Sequence, residues 1–318
     1  MAERMTFAQF RRKLERRTLS DDEVEDYLET EPGAVPVRVR FRPGTLLDEP
    51  PPGYDIDHEL NRYRIDLNRR VARRAARADK PRVVAEGDSW FRLPFFWWQA
   101  IATRIASDER FAVRNIAHWG DTLHEMLERK EYLGAIGEFR PSWFILSAGG
   151  NDVQEALGGG KLLRDYDPQR PLEQSITPDG DALFQRITVG YRQLLGEVAQ
   201  AAPDVRILCY GYDYPRPEVA DGQFIGRFLD GHRYPRESWT RLVAVIMQRL
   251  NQAIEAAMPA APNAVFMSCL HVTDDYTWYD DMHPANDGFK ALARKFEARM
   301  AQRRAKRKRG SRKRRKRN

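Results

Sequence analysis

The chain has only two cysteines, Cys209 and Cys269, in 318 residues, and no run approaching the roughly 18 apolar residues of a membrane span. Each cysteine lies inside an apolar, β-rich run, which argues against a disulfide framework or thiolate metal cage and predicts buried free thiols. The first stretch, Met1 to Arg17, mixes Glu3, Arg4, Arg11, Arg12, Lys13 and Arg16 with isolated apolar residues. It therefore lacks the apolar core of a secretory signal, and a cytoplasmic protein is expected. Motifs for metal and phosphate are also missing. His58, His124, His232 and His271 show no H-E-x-x-H spacing, and Gly158-Gly159-Gly160-Lys161 has neither a strand before it nor a hydroxyl after it. No metal and no cofactor are expected.

Acidic residues disappear at one end. Arg303–Arg317 holds twelve Lys and Arg without an acid, so subtracting these from the formal net charge of +7 leaves −5 on residues 1–302. Basicity is thus a property of residues 303–318. A block so dense repels itself, so it is expected to be disordered and to contact polyanions, nucleic acid or an anionic membrane, weakly and in a salt-sensitive way.

Three regions follow. Residues 1–79 form an accessory segment of helical and extended pieces: a short basic helix over Thr6–Arg17, a second opened by the Ser20/Glu23 capping-box spacing, and a Pro/Gly-punctuated stretch from Pro32 to Gly53. From Asp55 to Ala78, Leu60, Tyr63, Leu67, Val71 and Ala75 recur every three or four residues, predicting one apolar helix face. Residues 80–302 alternate short apolar runs with amphipathic stretches. The runs are Arg82–Glu86, Ala112–Ala117, Ser142–Ala148, Val205–Tyr210 and Ala264–Leu270. Helices are expected near Trp97–Ser107, Thr122–Phe139, Ala182–Ala202, Glu237–Met258 and Ala285–Gln302. This alternation predicts an α/β fold: a five-stranded parallel sheet in a three-layer α/β/α, flavodoxin-like sandwich. Ligands of such sheets bind where strands end at their carboxyl side.

The distinctive residues stand at those exits. Gly87-Asp88-Ser89-Trp90 follows the first run, Trp119-Gly120-Asp121-Thr122 the second and Gly149-Gly150-Asn151-Asp152 the third; Asp280-Asp281-Met282-His283-Pro284 follows the fifth. Singly, each reads as a turn or a helix cap. Their joint order at strand exits is the signal.

These blocks resemble the SGNH hydrolase superfamily, the GDSL-like serine esterases and lipases, over roughly residues 80–302. The Gly-Asp-Ser block resembles Gly87–Ser89, the second-block glycine Gly120, the Gly-x-Asn-Asp block Gly149–Asp152 and the Asp-x-x-His block Asp280–His283. Trp90 departs from the leucine frequent in the family and bears on the pocket wall. The resemblance implies Ser89 as nucleophile, His283 as base and Asp280 as its orienter, with Asp281 as a competitor for that role. It also implies an oxyanion hole from the Ser89 and Gly120 backbone N–H groups and the Asn151 amide. The chemistry is consistent. A serine hydroxyl needs an adjacent base, a histidine of ordinary pKa about 6.5 can serve, and a carboxylate on the other ring nitrogen fixes the tautomer. Asp88 and Asp152 are read as turn-bracing acceptors.

The expected reaction is hydrolysis of a carboxylic ester, as an acyl esterase or lipase, through an acyl-enzyme. A carbohydrate O-deacetylase or a thioesterase is the alternative. A non-catalytic binding module tethered by its basic tail, or a toxin-like lipase with residues 1–79 as adaptor, are rivals of other kinds. The expected partner is a small-molecule, lipid or glycan ester. Five aromatics in the eight residues Phe91–Trp98 suit either core packing or an acyl-chain wall. His118 is a further candidate for the pocket lining. Insertions near Leu157–Pro178 and Asp213–Pro235 could overhang the site, and the arginines of the second could meet a carboxylate or phosphate.

Overall fold

In the computed structural model, residues 4–16, 18–19, 21–31, 38–76, 80–94, 99–108 and 110–315 are described. The first segment starts with α1 (Phe7–Arg16) and α2 (Asp21–Tyr27), followed by β1 (Leu28–Thr30) and β2 (Val39–Phe41) and then α3 (Ile56–Ala76). β1 and β2 pair antiparallel, with Glu29 opposite Arg40, so that β2 is a paired strand within the Pro/Gly-punctuated stretch. The Ser20 cap and residues 32–37 lie outside the described residues. Phe10, Leu14, Val24, Tyr27, Leu28 and Leu60 pack together in a core of their own, to which the larger domain contributes Trp119.

The face that α3 buries is partly the expected one. Leu60 is buried and Tyr63 and Ala75 pack against the cores, but Val71 is 52% exposed and Asn61, Arg64 and Ala72 are buried in addition. The reason is polar. Asn68 donates to Val113 O at 3.3 Å and accepts from Asn115 N at 2.7 Å, and Arg64 donates to Leu93 O at 2.8 Å. These bonds satisfy backbone groups on and beside an edge strand, one of the ways in which proteins blunt such edges.

The main domain continues through β3 (Arg82–Gly87), α4 (Ile101–Ser107), β4 (Ala112–Asn115), α5 (Leu123–Arg129), α6 (Glu131–Phe139), β5 (Trp143–Ser147) and α7 (Gly150–Gly158). It then runs through α8 (Pro178–Ala201), β6 (Arg206–Gly211), α9 (Gly226–Gly231), α10 (Trp239–Glu255), β7 (Ala264–Ser268) and α11 (Asn286–Arg315). All five expected strands form, parallel, in the order β4-β3-β5-β6-β7. β5 is buried along its whole length, as a central strand covered on both faces must be. Helices flank the sheet in two groups, α4 with α11, and α8 with α5, α6, α7 and α10. Cys209 and Cys269 are buried free thiols, as expected.

Two helical expectations change. The stretch 122–139 divides at Lys130, whose left-handed φ of 50° ends α5 and starts α6. α11 passes the expected end at Gln302 and continues to Arg315, through most of the segment expected to lack structure. Ala, Lys and Arg are good helix formers, and extending a nucleated helix costs far less than starting one. Among the described residues, no helix is long and apolar enough to cross a membrane.

β3 is the first strand of the sheet, and its two neighbours lie on either side of the point where strand order reverses. The carboxyl ends of β3 and β5 therefore open onto one crevice, which is where an open α/β sheet binds its ligand.

Candidate active site

Ser89 leaves β3 on a tight turn. The Asp88 carbonyl accepts from Phe91 N at 3.0 Å and Arg92 N at 3.1 Å, while the Asp88 carboxylate accepts from Trp90 N at 3.1 Å. Gly87 is required there, because a Cβ would sit 2.8 Å from the Ser147 carbonyl on the paired strand. The turn rests on a buried network in which Ser147 and Tyr212 both donate their hydroxyls to Asp88. Burial pushes the Asp88 carboxyl up to about 6 against the opposing effect of these donors. The expectation that Asp88 braces the turn agrees with this geometry, as does Asp152, which accepts from Leu123 N at 2.8 Å at the start of α5.

The second half of the site is the loop before α11. A bridge between Trp278 and Pro284 closes it, and Tyr279 N donates to His283 O at 2.9 Å. Inside the loop, Asp280 Oδ1 accepts from Met282 N at 2.8 Å and His283 N at 2.7 Å. The same carboxylate faces His283 Nδ1 at 3.0 and 2.9 Å. A carboxylate only accepts, so Nδ1 carries the ring proton and Nε2 is left as an acceptor. Nε2 stands 2.8 Å from Ser89 Oγ. Ser89, Asp280 and His283, separated by up to 194 residues, thus form one continuous hydrogen-bonded chain. His283 is fully buried. Burial pulls its pKa down, but the Asp280 charge and hydrogen bond, with Asp88 and Asp281 behind them, leave it raised above the ordinary value.

Asp281 does not compete for the imidazole. Its carboxylate turns the other way and accepts from Phe224 N at 2.9 Å, Ile225 N at 2.5 Å and Gly226 N at 3.1 Å. It fastens the insertion after β6 to the histidine loop.

Asn151 lies in the first turn of α7, 96% buried, and its Nδ2 donates to Asp121 O at 2.8 Å. One of the two amide hydrogens is thereby committed. Gly120 holds a left-handed φ of 84°, a conformation suited to glycine, on the loop between His118 and Asp121. That loop is tied at both ends, since His118 N donates to Gly87 O at 2.8 Å and Asp121 O receives Asn151. Among the described residues the Ser89 and Gly120 backbone N–H groups donate to no protein acceptor. Ser89 and Asn151 line one pocket, whereas Gly120 stands on the tethered loop outside its lining. His118 is also outside it, with Nε2 3.2 Å from Glu131.

The pocket is a cavity of about 50 Å³ with an apolar wall. Trp90 and Met282 flank the serine and histidine; Val153, Gln154 and Leu157 come from α7; Val243, Ile246 and Met247 come from α10; Pro215 and Ile225 come from the insertion after β6. Sequence reasoning missed the residues of α7 and α10. For α7 a signal existed, because Gln154 is three residues beyond Asn151 and shares its face. For α10 none did, since its apolar stripe looks like any core-facing helix.

The sequence expectations for the pocket wall are only partly met. Phe91 packs away from the site, its ring centroid 5.6 Å from that of Phe296, and the aromatics that line the pocket are Trp90 and Tyr212. Residues 95–98 lie outside the described residues. The insertion 157–178 supplies only Leu157. The insertion 213–235 supplies Pro215 and Ile225 and no arginine: Arg216 pairs with Asp274 at 3.0 Å, and Arg227 lies 4.6 Å over Phe228.

The family profile described as GDSL-like Lipase/Acylhydrolase matches residues 84–291, which span β3 through the start of α11 and every residue of the hydrogen-bonded chain. The chain belongs to this family. No curated protein matches it. Among solved structures, it is similar to phospholipase A1 from Streptomyces albidoflavus at 15% identity, covering 69% of this chain and 99% of that one with a TM-score of 0.45. It is also similar to the lipase/acylhydrolase from Enterococcus faecalis at 18% identity, covering 70% and 96% with a TM-score of 0.39. A family 3 carbohydrate esterase from Clostridium thermocellum is similar at 15% identity, covering 68% and 93% with a TM-score of 0.39. The family match begins at residue 84, after the first segment.

Proposed function

We propose that the protein hydrolyses carboxylic esters of short acyl groups through an acyl-enzyme on Ser89. The observation that carries this reading is the 2.8 Å contact of Ser89 Oγ with His283 Nε2, beside an apolar pocket. In the proposed reaction His283 takes the Ser89 proton as Oγ attacks the ester carbonyl, then returns it to the departing alcohol. Water, deprotonated by the same imidazole, releases the acid. Asp280 keeps the Nδ1–H tautomer and stabilises the imidazolium that forms in each half-reaction. The negative oxygen of the tetrahedral intermediate is held by the free N–H groups of Ser89 and Gly120 and by the second amide hydrogen of Asn151.

The largely apolar wall supports an acyl group in the pocket rather than a sugar, most of whose hydroxyls would be left unpaired there. A cavity of about 50 Å³ is several times the roughly 10–15 Å³ that one water needs, which suits an acyl chain of few carbons. Hydrolysis of p-nitrophenyl acetate, butyrate and octanoate tests the reading. Turnover that is best for the shorter chains and disappears in Ser89→Ala supports it. Equal rates in both proteins reject it.

A further inference from the structure

Gln154 is the anomaly of the pocket. It is 96% buried on α7 and lines the cavity, yet neither Oε1 nor Nε2 has a hydrogen-bond partner. Of the other buried carboxamides among the described residues, Asn61 and Asn251 leave only the oxygen without one, and Asn115 and Asn151 leave neither atom so. The other polar side chains of the pocket, Asp88, Ser89, Asn151 and Tyr212, make no hydrogen bond to it, and Val153, Leu157, Ile246 and Met247 add only apolar surface to the same lining. A buried amide left unpaired loses its hydration with no return, so a leucine or methionine would pack this wall at lower cost. An unpaired donor and acceptor facing a ligand pocket are matched by a ligand that carries both.

Position sets where that ligand group lies. Gln154 follows Asn151 by three residues on one helix, so their side chains share a face with Cβ atoms about 5–6 Å apart. Asn151 marks the carbonyl end of the ester in the proposed function, on which this inference rests. A partner for Gln154 therefore belongs a few bonds along the acyl chain. A hydroxyl fits, because it donates to Oε1 and accepts from Nε2 at once.

We propose that Gln154 is a specificity-determining residue and that the substrate is a short acyl ester with a hydroxyl near its carbonyl, of the 3-hydroxyacyl class. A site built to pair with a hydroxyl rejects the analogue lacking it, because the site's own polar group is then buried unpaired. Preference for the hydroxylated chain should thus come from Gln154 alone, on top of a pocket that otherwise favours plain alkyl.

The test compares p-nitrophenyl 3-hydroxybutyrate with p-nitrophenyl butyrate in the full-length protein and in Gln154→Met, a near-isosteric change. In the wild type, kcat/KM should favour the hydroxy ester by about tenfold or more. In Gln154→Met the ratio should fall to about one or below, with Tm unchanged or higher. A wild-type ratio near one, a ratio that survives the substitution, or a Tm several degrees lower, which would reveal a hidden partner for the amide, overturns the inference. A protein that cleaves neither ester fails the proposed function instead. Calorimetric binding of 3-hydroxybutyrate and butyrate then decides the inference separately: tighter hydroxyacid binding that Gln154→Met abolishes supports it, and equal affinities reject it.

Discussion

The Trp119 indole N–H donates to Asp57 Oδ1 at 2.6 Å, and the same oxygen accepts from Val39 N at 2.8 Å. Trp119 precedes Gly120 in the chain, yet its ring is packed among the residues of the first segment. The loop that carries a proposed oxyanion donor is thus anchored in a core built by residues 5–60.

Asp57→Ala should therefore destabilise the protein by about 2 kcal/mol or more, because it leaves two part-buried donors unpaired. Asp57→Asn keeps one acceptor oxygen and should cost less. Urea unfolding followed by tryptophan fluorescence measures both losses.

His283 should set the acid limb of catalysis. Its pKa is raised in the folded protein, and the proposed base is the neutral ring, so kcat/KM should climb with pH through an apparent pKa above the ordinary value of about 6.5. Asp280→Asn removes the charge chiefly responsible for that rise. Its pH–rate limb should shift to lower pH, while kcat falls by as much as about 10⁴-fold where the wrong tautomer results. A profile unmoved in Asp280→Asn would reject the assigned role.

Stability should show the opposite face of burial. Asp88, Asp152 and Asp281 are each pushed up to about 6 by burial, so the folded state holds protons that the unfolded chain has released. Their contribution is full below the ordinary carboxylate pKa of about 3.9 and is lost as pH rises through about 6. His283 contributes in the same sense, losing its share as pH climbs through its raised pKa. Tm should consequently increase as pH is lowered from 7 to 5, and Asp281→Asn should flatten that slope. Calorimetry across this range checks the direction.

Asn151→Ala should lower kcat by about 10²–10³-fold with little change in KM, the signature of a contact made mainly in the transition state. Asn151→Ala also removes the buried hydrogen bond to Asp121 O and should lower Tm, as should Gly120→Ala, which places a Cβ at a φ of 84°. Steady-state kinetics beside thermal melts measures both effects.

Much of this was legible in the chain because it is local. Val83, Val84 and Ala85, or Phe144, Ile145 and Leu146, are short runs that only a buried strand accommodates, and their alternation with helices leaves little choice but a parallel sheet. Ser89, Asn151 and His283 could be picked out because each follows such a run. The face of α3 could not, because Arg64 is buried and Asn68 half-buried to satisfy backbone groups on and beside an edge strand, and periodicity counts only apolar residues.

By itself the sequence determined the strands, their parallel order of use and the residue types available at each exit, since propensity, turn chemistry and hydrophobic spacing act over a few neighbouring residues. Only the tertiary structure decided that Asp281 grips the loop at Phe224–Gly226 instead of the imidazole, that α10 walls the pocket, and that Gln154 is buried with no partner. Those outcomes depend on which distant surfaces meet and on the direction each side chain takes once packed, and no local rule encodes either.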